Sequence, residues 1–477
     1  MSISKSLEGA IAVTRFGLGA TPGELGAAAQ SPREWLTSQI TRDGAEQPSA
    51  MPGSTDRYVT FAEYLRQVGI LKKDGTINEQ PSVAPAGQQM SDQQGAAIQE
   101  QRKQLLKPVL DGVRDEIFAR TRLAASTASP FRERWALFWG NHFTVSTAKL
   151  QSAVFAGPFE REAIRPHVFG RFEDLLVASS THPGMLVYLD QERSAGPDSL
   201  AGEFRHMGLN ENLAREILEL HTVGADAGYT QADVTEFARA LTGYSIGGPK
   251  ESPDRQGRFL YRPQLHEPGT RNVMGREYAQ DGEQQARAIL ADLAASPKTA
   301  EHIARKLAIH FVADDPPRAL IGRLRDAYLN SGGDLAHVAQ ALVEAPEAWA
   351  PDATKFKTPY EFVVSGYRAA GSQPSDPAKE VVQPLTFLGQ RPFAAPQPNG
   401  WSDLASDWAA PDALVKRLSW ASKFSAYYVP KDTPPVDVAL ATLGDRLGAT
   451  ARTAIARAET RFEAFSILLM SPEFQRR

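Results

Sequence analysis

The sequence predicts a mainly α, multi-helix globular domain with one small β-hairpin excursion. Apolar residues recur at spacings of three and four along most of the chain, as in "SPREWLTSQI", "FRERWALFWGNHF" and "DLAHVAQALVEA". Helix-start signals precede several of these runs. Only two stretches break the pattern. The 477 residues are long for one core and short for three domains, and two helical lobes are one way to divide them.

The elements follow in chain order. "ATPGEL" sets Thr21 as an N-cap, Pro22 at the first helical position and Glu24 three past the cap. "YVTFAEYLRQVGILKK" is amphipathic, and "IQEQRKQLLKPVLDGVRDEIFARTRLAAS" is a longer helix that Pro108 should kink or split. Between them, residues 74–95 are rich in Pro, Gln and Ser and read as a mobile loop. Residues 245–278 form the second break. There "GRFLYRP" and "RNVMGREY" could pair as a hairpin around "HEPGT". "AEHIARKLAIHFV" and "LIGRLRDAYLN" return to helical spacing. A faint echo precedes Pro183, Pro346 and Pro472, where an apolar helix ends in a small or polar residue and proline opens the next turn.

Composition excludes several chemistries. The chain has no cysteine, so disulfides, thiolate metal sites and cysteine nucleophiles are absent. A net charge of −4 leaves no footprint for nucleic acid. No run approaches the ~18 apolar residues of a membrane span. The opening "MSISKSLEGAIAVTRFGLGA" does not read as a signal peptide. The cytoplasm is the default expectation, with export alongside a partner as the alternative.

The stretch "NENLAREILELHTVG" concentrates chemistry on one helix, from about Glu211 to Val223. Leu213, Ile217 and Leu220 share its core face. Asn212, Glu216 and Glu219 form the adjacent stripe, with Arg215 placed to pair with Glu219 at i+4. Glu216 and Glu219 repel unless a cation intervenes. A second helix, from about Gln231 to Thr242, begins with the Thr230/Asp233 capping pair and should lie antiparallel to the first. Either Arg215 or Arg239 could neutralise the stripe, making it a structural network. Facing inward with a pocket, the same residues become a site.

Three further histidine and aromatic positions compete with packing roles. In "WALFWGNHFTVS", His142 ends an aromatic stripe with Trp135 and Phe138. It is either a core histidine satisfied by a backbone carbonyl or a general base, with Asn141 beside it to bind substrate or orient the ring. His266 lies in the "HEPGT" turn, where packing explains a histidine less easily. Trp401, presented by "PNGW", could line a sugar site with Trp408 or plug the core. His182 and His310 sit at apolar helices and read as structural. No Walker loop, H-E-x-x-H or G-x-S-x-G motif occurs.

These blocks, with "RFGLGATPGE", "HPGMLVYLDQ", "YTQADVTEFARALTGYSI", "RKLAIHFVADDPP", "KFKTPYEFVVSGYRA", "LGQRPFAAPQPNGW" and the closing "SPEF", resemble the bacterial family known as domain of unknown function 1800. The resemblance covers nearly the whole chain, so residues 1–477 form one family unit, and it implies a helical fold. It brings no activity. Members of that family are often encoded beside a family resembling sulfatases, which implies a sulfatase-like partner.

Two functions follow. One is a hydrolase whose pocket joins His142, Glu216 and Glu219 as catalytic groups with Asn141, Asn212, Arg215, Arg239, His266 and Trp401 around the substrate. A divalent metal held by carboxylate and imidazole would suit such a pocket. The other is a non-catalytic partner or scaffold for the sulfatase-like protein, with the polar stripe as a structural network.

Overall fold

The computed structural model describes residues 4–72, 74, 76, 92–205 and 208–477. It is 63% helical and 4% strand, which is the expected class. Most of the 74–95 segment read as a loop lies outside the described residues. Its end is corrected, because Asp92 already belongs to the Asp92–Ser126 helix. That helix is continuous through Pro108 and is not split there.

The Pro130–His142 helix is the centre of the molecule. Proline supplies its first helical position, where a missing N–H costs nothing. Phe131, Trp135, Phe138 and Trp139 are buried, and so are Glu133 and Arg134 on other faces. A helix buried nearly all round must be wrapped by others. Trp135 stacks on Phe169 at 6.0 Å and meets Phe311 at 5.9 Å. Phe16, carried by a π-helical turn at Ala12–Phe16, packs on Trp349 at 5.0 Å. A second apolar cluster gathers Phe362, Trp420, Phe424 and Phe465 from the Pro359–Ala369, Pro411–Tyr428 and Arg461–Met470 helices.

Charged side chains cross this interior. Arg165, fully buried, is held by Glu133 at 2.8 Å and by Glu160 at 2.7 Å. Arg120 closes on the other oxygen of Glu160 at 2.8 Å. Arg368 takes both oxygens of Glu24 and three backbone carbonyls.

Local signals hold with two adjustments. The Thr230/Asp233 capping box forms, and Pro183, Pro346 and Pro472 each open a helical turn. At "ATPGEL" Glu24 does reach back to the Thr21 N–H at 2.8 Å, yet the helix starts later, at Glu24. The β excursion occurs where expected but is partnered differently. Tyr244–Ile246 (β1) pairs with Phe259–Tyr261 (β2), and Arg271–Val273 (β3) with Arg276–Tyr278 (β4). The expected pairing around "HEPGT" gives way to a two-residue turn at Met274 and Gly275, both at positive φ. Such a turn matches strand twist and closes the shortest loop.

The Arg165 network yields a stability prediction. Arg165→Met should leave Glu133 and half of Glu160 buried without a counter-charge and lower stability by about 3–5 kcal/mol. Urea unfolding measures this; a loss under about 1 kcal/mol would mean the network does not hold these helices.

Candidate functional site

A cavity of about 90 Å³ opens beside the central helix. Arg134, Leu137 and Asn141 line it from the Pro130–His142 helix, His310 from the Pro297–Phe311 helix, and Tyr360 and Glu361 from the start of the Pro359–Ala369 helix. The segment 390–403 covers it with Gln390, Phe393, Trp401 and Asp403.

Glu361 is placed by local chemistry. In the capping box of its own helix, its Oε2 accepts the Thr358 N–H at 2.9 Å while Thr358 Oγ1 accepts the Glu361 N–H at 3.3 Å. Oε1 then receives Arg134 and the Arg477 guanidinium. Burial would push this carboxyl up; Arg134 and Arg477 outweigh it and hold the group well below the usual carboxylate range. Arg134 also donates to the Gly17 carbonyl at 2.7 Å.

The covering segment is held by Asn141. Its amide accepts the Trp401 N–H and donates to the Trp401 carbonyl, both at 2.8 Å, as a strand neighbour would. Gly400 lies against it at φ +79°, where a Cβ would come within 2.4 Å of the Asn141 carbonyl oxygen.

His310 and Asp403 meet across this arrangement, with Nδ1 and Oδ1 2.7 Å apart. Burial acts to raise the Asp403 carboxyl, but His310, Lys355 and Arg477 hold it down to about 2. The carboxylate can only accept, so Nδ1 carries the proton. Nε2 is then a lone-pair acceptor, and it is buried without a hydrogen-bond partner. Burial lowers the imidazole's own proton affinity against the opposing pull of Asp403.

The residues nominated from sequence are dispersed. Of them, Asn141 and Trp401 line the cavity; His142, Asn212, Arg215, Glu216, Glu219, Arg239 and His266 do not. The two stripe helices do run in opposite senses, with Glu211 bound to Thr235 and Gln231, and Glu219 to Tyr229. The first is α-helical only over Asn212–Glu216 and continues as a π-helix over Ile217–His221. Arg215 pairs with Glu211 at 3.1 Å instead of the expected Glu219, because Gln231 across the helix pair draws its guanidinium the other way. Asn212 is exposed. Glu216 is raised by partial burial and by Glu219. Arg239 binds Glu236 at 2.5 Å, leaving the acid stripe without it. His266 Nδ1 donates to the Thr242 carbonyl at 3.0 Å.

His142 follows the carbonyl-satisfied alternative. Its Nε2 donates to the His221 carbonyl at 3.1 Å, and His302 donates to the Leu220 carbonyl at the same distance. Both imidazoles thus cap the end of the π-helical turn, whose last carbonyls lack helical partners. His142, His221 and His302 lie together near Lys306, which burial holds down to about 8. Among the described residues no group of three or more His, Asp or Glu side chains could hold a metal ion.

A family model for proteins of unknown function, DUF1800, matches residues 11–476. The chain belongs to the DUF1800 family. No curated protein and no solved structure matches it. The cavity of this DUF1800 chain rests on residues that sequence reasoning passed over: Arg120, Arg134, Glu361 and Asp403, with His310 assigned to packing. One signal was present, since "KTPYEF" is a capping-box pattern that fixes Glu361. Asp403 stands 93 positions from His310, and no spacing rule joins them.

Two predictions concern the groups outside the cavity. Burial and Lys306 hold His221 down to about 3 and His302 to about 4, so both are neutral in the fold. Above pH ~6.5 the unfolded histidines are neutral too, and nothing changes. Below it only the unfolded chain takes the protons, so stability is lost as pH falls toward 4, by about 1.4 kcal/mol per pH unit per histidine. His221→Gln should flatten the melting-temperature profile between pH 6.5 and 4; parallel profiles would acquit the cluster. The charged form of Glu216 is disfavoured in the fold, so Glu216→Gln at pH 7 should leave stability within about 0.5 kcal/mol of the parent or raise it. A loss of several kcal/mol in thermal melts would instead mark the stripe as a buried ionic network.

Proposed function

We propose that this protein is a hydrolase in which His310 is the general base, oriented by Asp403, and the cavity beside the central helix is the reaction site. The observation that carries the reading is the 2.7 Å His310–Asp403 contact on a cavity wall, with the opposite ring nitrogen buried and unpartnered. Such a nitrogen can take a proton from a water whose oxygen attacks a carbonyl carbon or phosphorus. Asp403 then stabilises the imidazolium, which returns the proton to the departing oxygen or nitrogen. Arg120 and Arg134 both line the cavity, where fixed cations stabilise negative charge developing in the transition state.

The second reading, a non-catalytic partner of a sulfatase-like protein, is favoured by one feature. Leu414, Val415 and Leu418 form an exposed apolar stripe on the Pro411–Tyr428 helix. On that reading Val415→Asp disrupts association with the sulfatase-like protein and cavity substitutions do not.

The hydrolytic reading is tested by assaying the full chain on chromogenic esters, phosphoesters and amides. His310→Asn should lower any turnover by roughly 10²–10⁴-fold, whereas His337→Asn, a surface histidine, should not. Activity should rise with pH along a limb centred below ~6.5, since burial lowers the His310 imidazole. Undiminished turnover in a folded His310→Asn would remove His310 from the chemistry.

A further inference from the structure

The polar groups around the cavity are unequally matched. Apart from His310 Nε2, the acceptors are engaged: Gln390 Oε1 receives the Tyr360 N–H and Asn141 Oδ1 the Trp401 N–H, both at 2.8 Å. Asp403 is taken by His310, and Glu361 by two guanidiniums. Donors are left over. The Trp401 indole N–H and the Arg134 Nε–H are both buried with no hydrogen-bond partner. A buried donor without an acceptor costs about 1–3 kcal/mol, so two beside one cavity call for an acceptor from outside.

The charges lean the same way. One carboxylate, Glu361, answers both Arg134 and Arg477, each almost wholly buried. Arg120, paired with Glu160, lines the same cavity with its guanidinium over the rings of Tyr360 and Phe393 at 4.8 and 5.1 Å. Behind the lining, Lys355 donates to the Asp403 carbonyl and is itself paired with Asp314 at 2.6 Å. Burial and the neighbouring Arg477 depress Arg134 against the opposing pull of Glu361 and Asp403. The volume of about 90 Å³ is several times the roughly 10–15 Å³ that one water needs on the same measure, and it admits a head group of four or five atoms.

We propose that the cavity binds the oxyanion head of its ligand, a carboxylate or a phosphate, through the Arg134 guanidinium and the Trp401 indole N–H with Arg120 alongside. This names the substrate class for the hydrolytic reading and rests on it only in calling the anion part of a substrate. Binding itself requires the donors and cations, and His310 is not among them.

Titration calorimetry of the full chain with inorganic phosphate and with acetate, against chloride at matched ionic strength, tests it. At least one should bind saturably, and which one binds identifies the head group. Trp401→Phe keeps a ring in place and removes an N–H that bonds nothing in the protein, so the fold should be unchanged. Its affinity for the bound anion should drop about tenfold. Saturable binding of neither anion, or equal binding by Trp401→Phe, overturns the proposal. His310→Asn separates the two readings. If it and the parent bind the anion alike while the parent hydrolyses nothing, the anion site stands and the hydrolytic reading falls. If the parent hydrolyses neutral substrates and binds no anion, the reverse holds.

Discussion

The Glu361 carboxylate ties together the parts of the molecule that make the cavity. Through its capping box it starts the Pro359–Ala369 helix. Through Arg134 it binds that helix to the central Pro130–His142 helix. Through Arg477 it reaches the last residue, whose guanidinium also donates to the His310 carbonyl at 2.7 Å. Three segments distant in sequence thus share one buried anion. Taking it from water is costly, and only the two arginines and the capping N–H make that burial tolerable. The position of His310, and with it the contact to Asp403, follows from this clamp.

Elsewhere the interior uses arginine as a bracket for backbone. Arg15 takes the carbonyls of Ala348, Ala350 and Asp352 beyond a helical turn, and Arg417 takes that of Lys357. Each planar fork satisfies backbone acceptors that no helix or strand ladder takes up. The π-helical turns add to the demand, since they displace the ordinary backbone ladder. At Ile217–His221 two histidines supply the missing donors. This explains why a segment so rich in catalytic-type side chains sits apart from the cavity. Its histidine partners are engaged in closing backbone, and its acids face a half-buried surface with Tyr229 and Tyr188 as neighbours.

The cavity combines two asymmetric features. A histidine is held in one tautomer by an ionised aspartate, which leaves its far nitrogen basic. Around it donors exceed acceptors. On the proposed reading the first arrangement would move a proton and the second would attract negative charge. A hydrolytic site acting on an anionic substrate needs both within one small, largely dry volume, where electrostatic effects are least weakened by water.

Local physics determined the helical class, because spacing of three and four, proline at first helical positions and Thr–Asp or Thr–Glu capping pairs act over a few residues. The same rules found the paired stripe helices and placed the β excursion to within one residue, since its first strand starts at Tyr244 where 245–278 was expected. His142 bonded to a carbonyl was one of two roles legible from its aromatic stripe. Strand partners were not legible, since alternation does not say which run pairs with which. Nor was the direction in which Arg215 turns settled by having an acid on both sides: the acid four residues N-terminal is only the slightly better helical partner, and Gln231 from the next helix adds to it. The cavity was least legible of all. Asp403 and His310, or Arg134 and Glu361, are ordinary residues in their own segments. They become a site only when packing of the aromatic core brings charges more than ninety positions apart to within bonding distance.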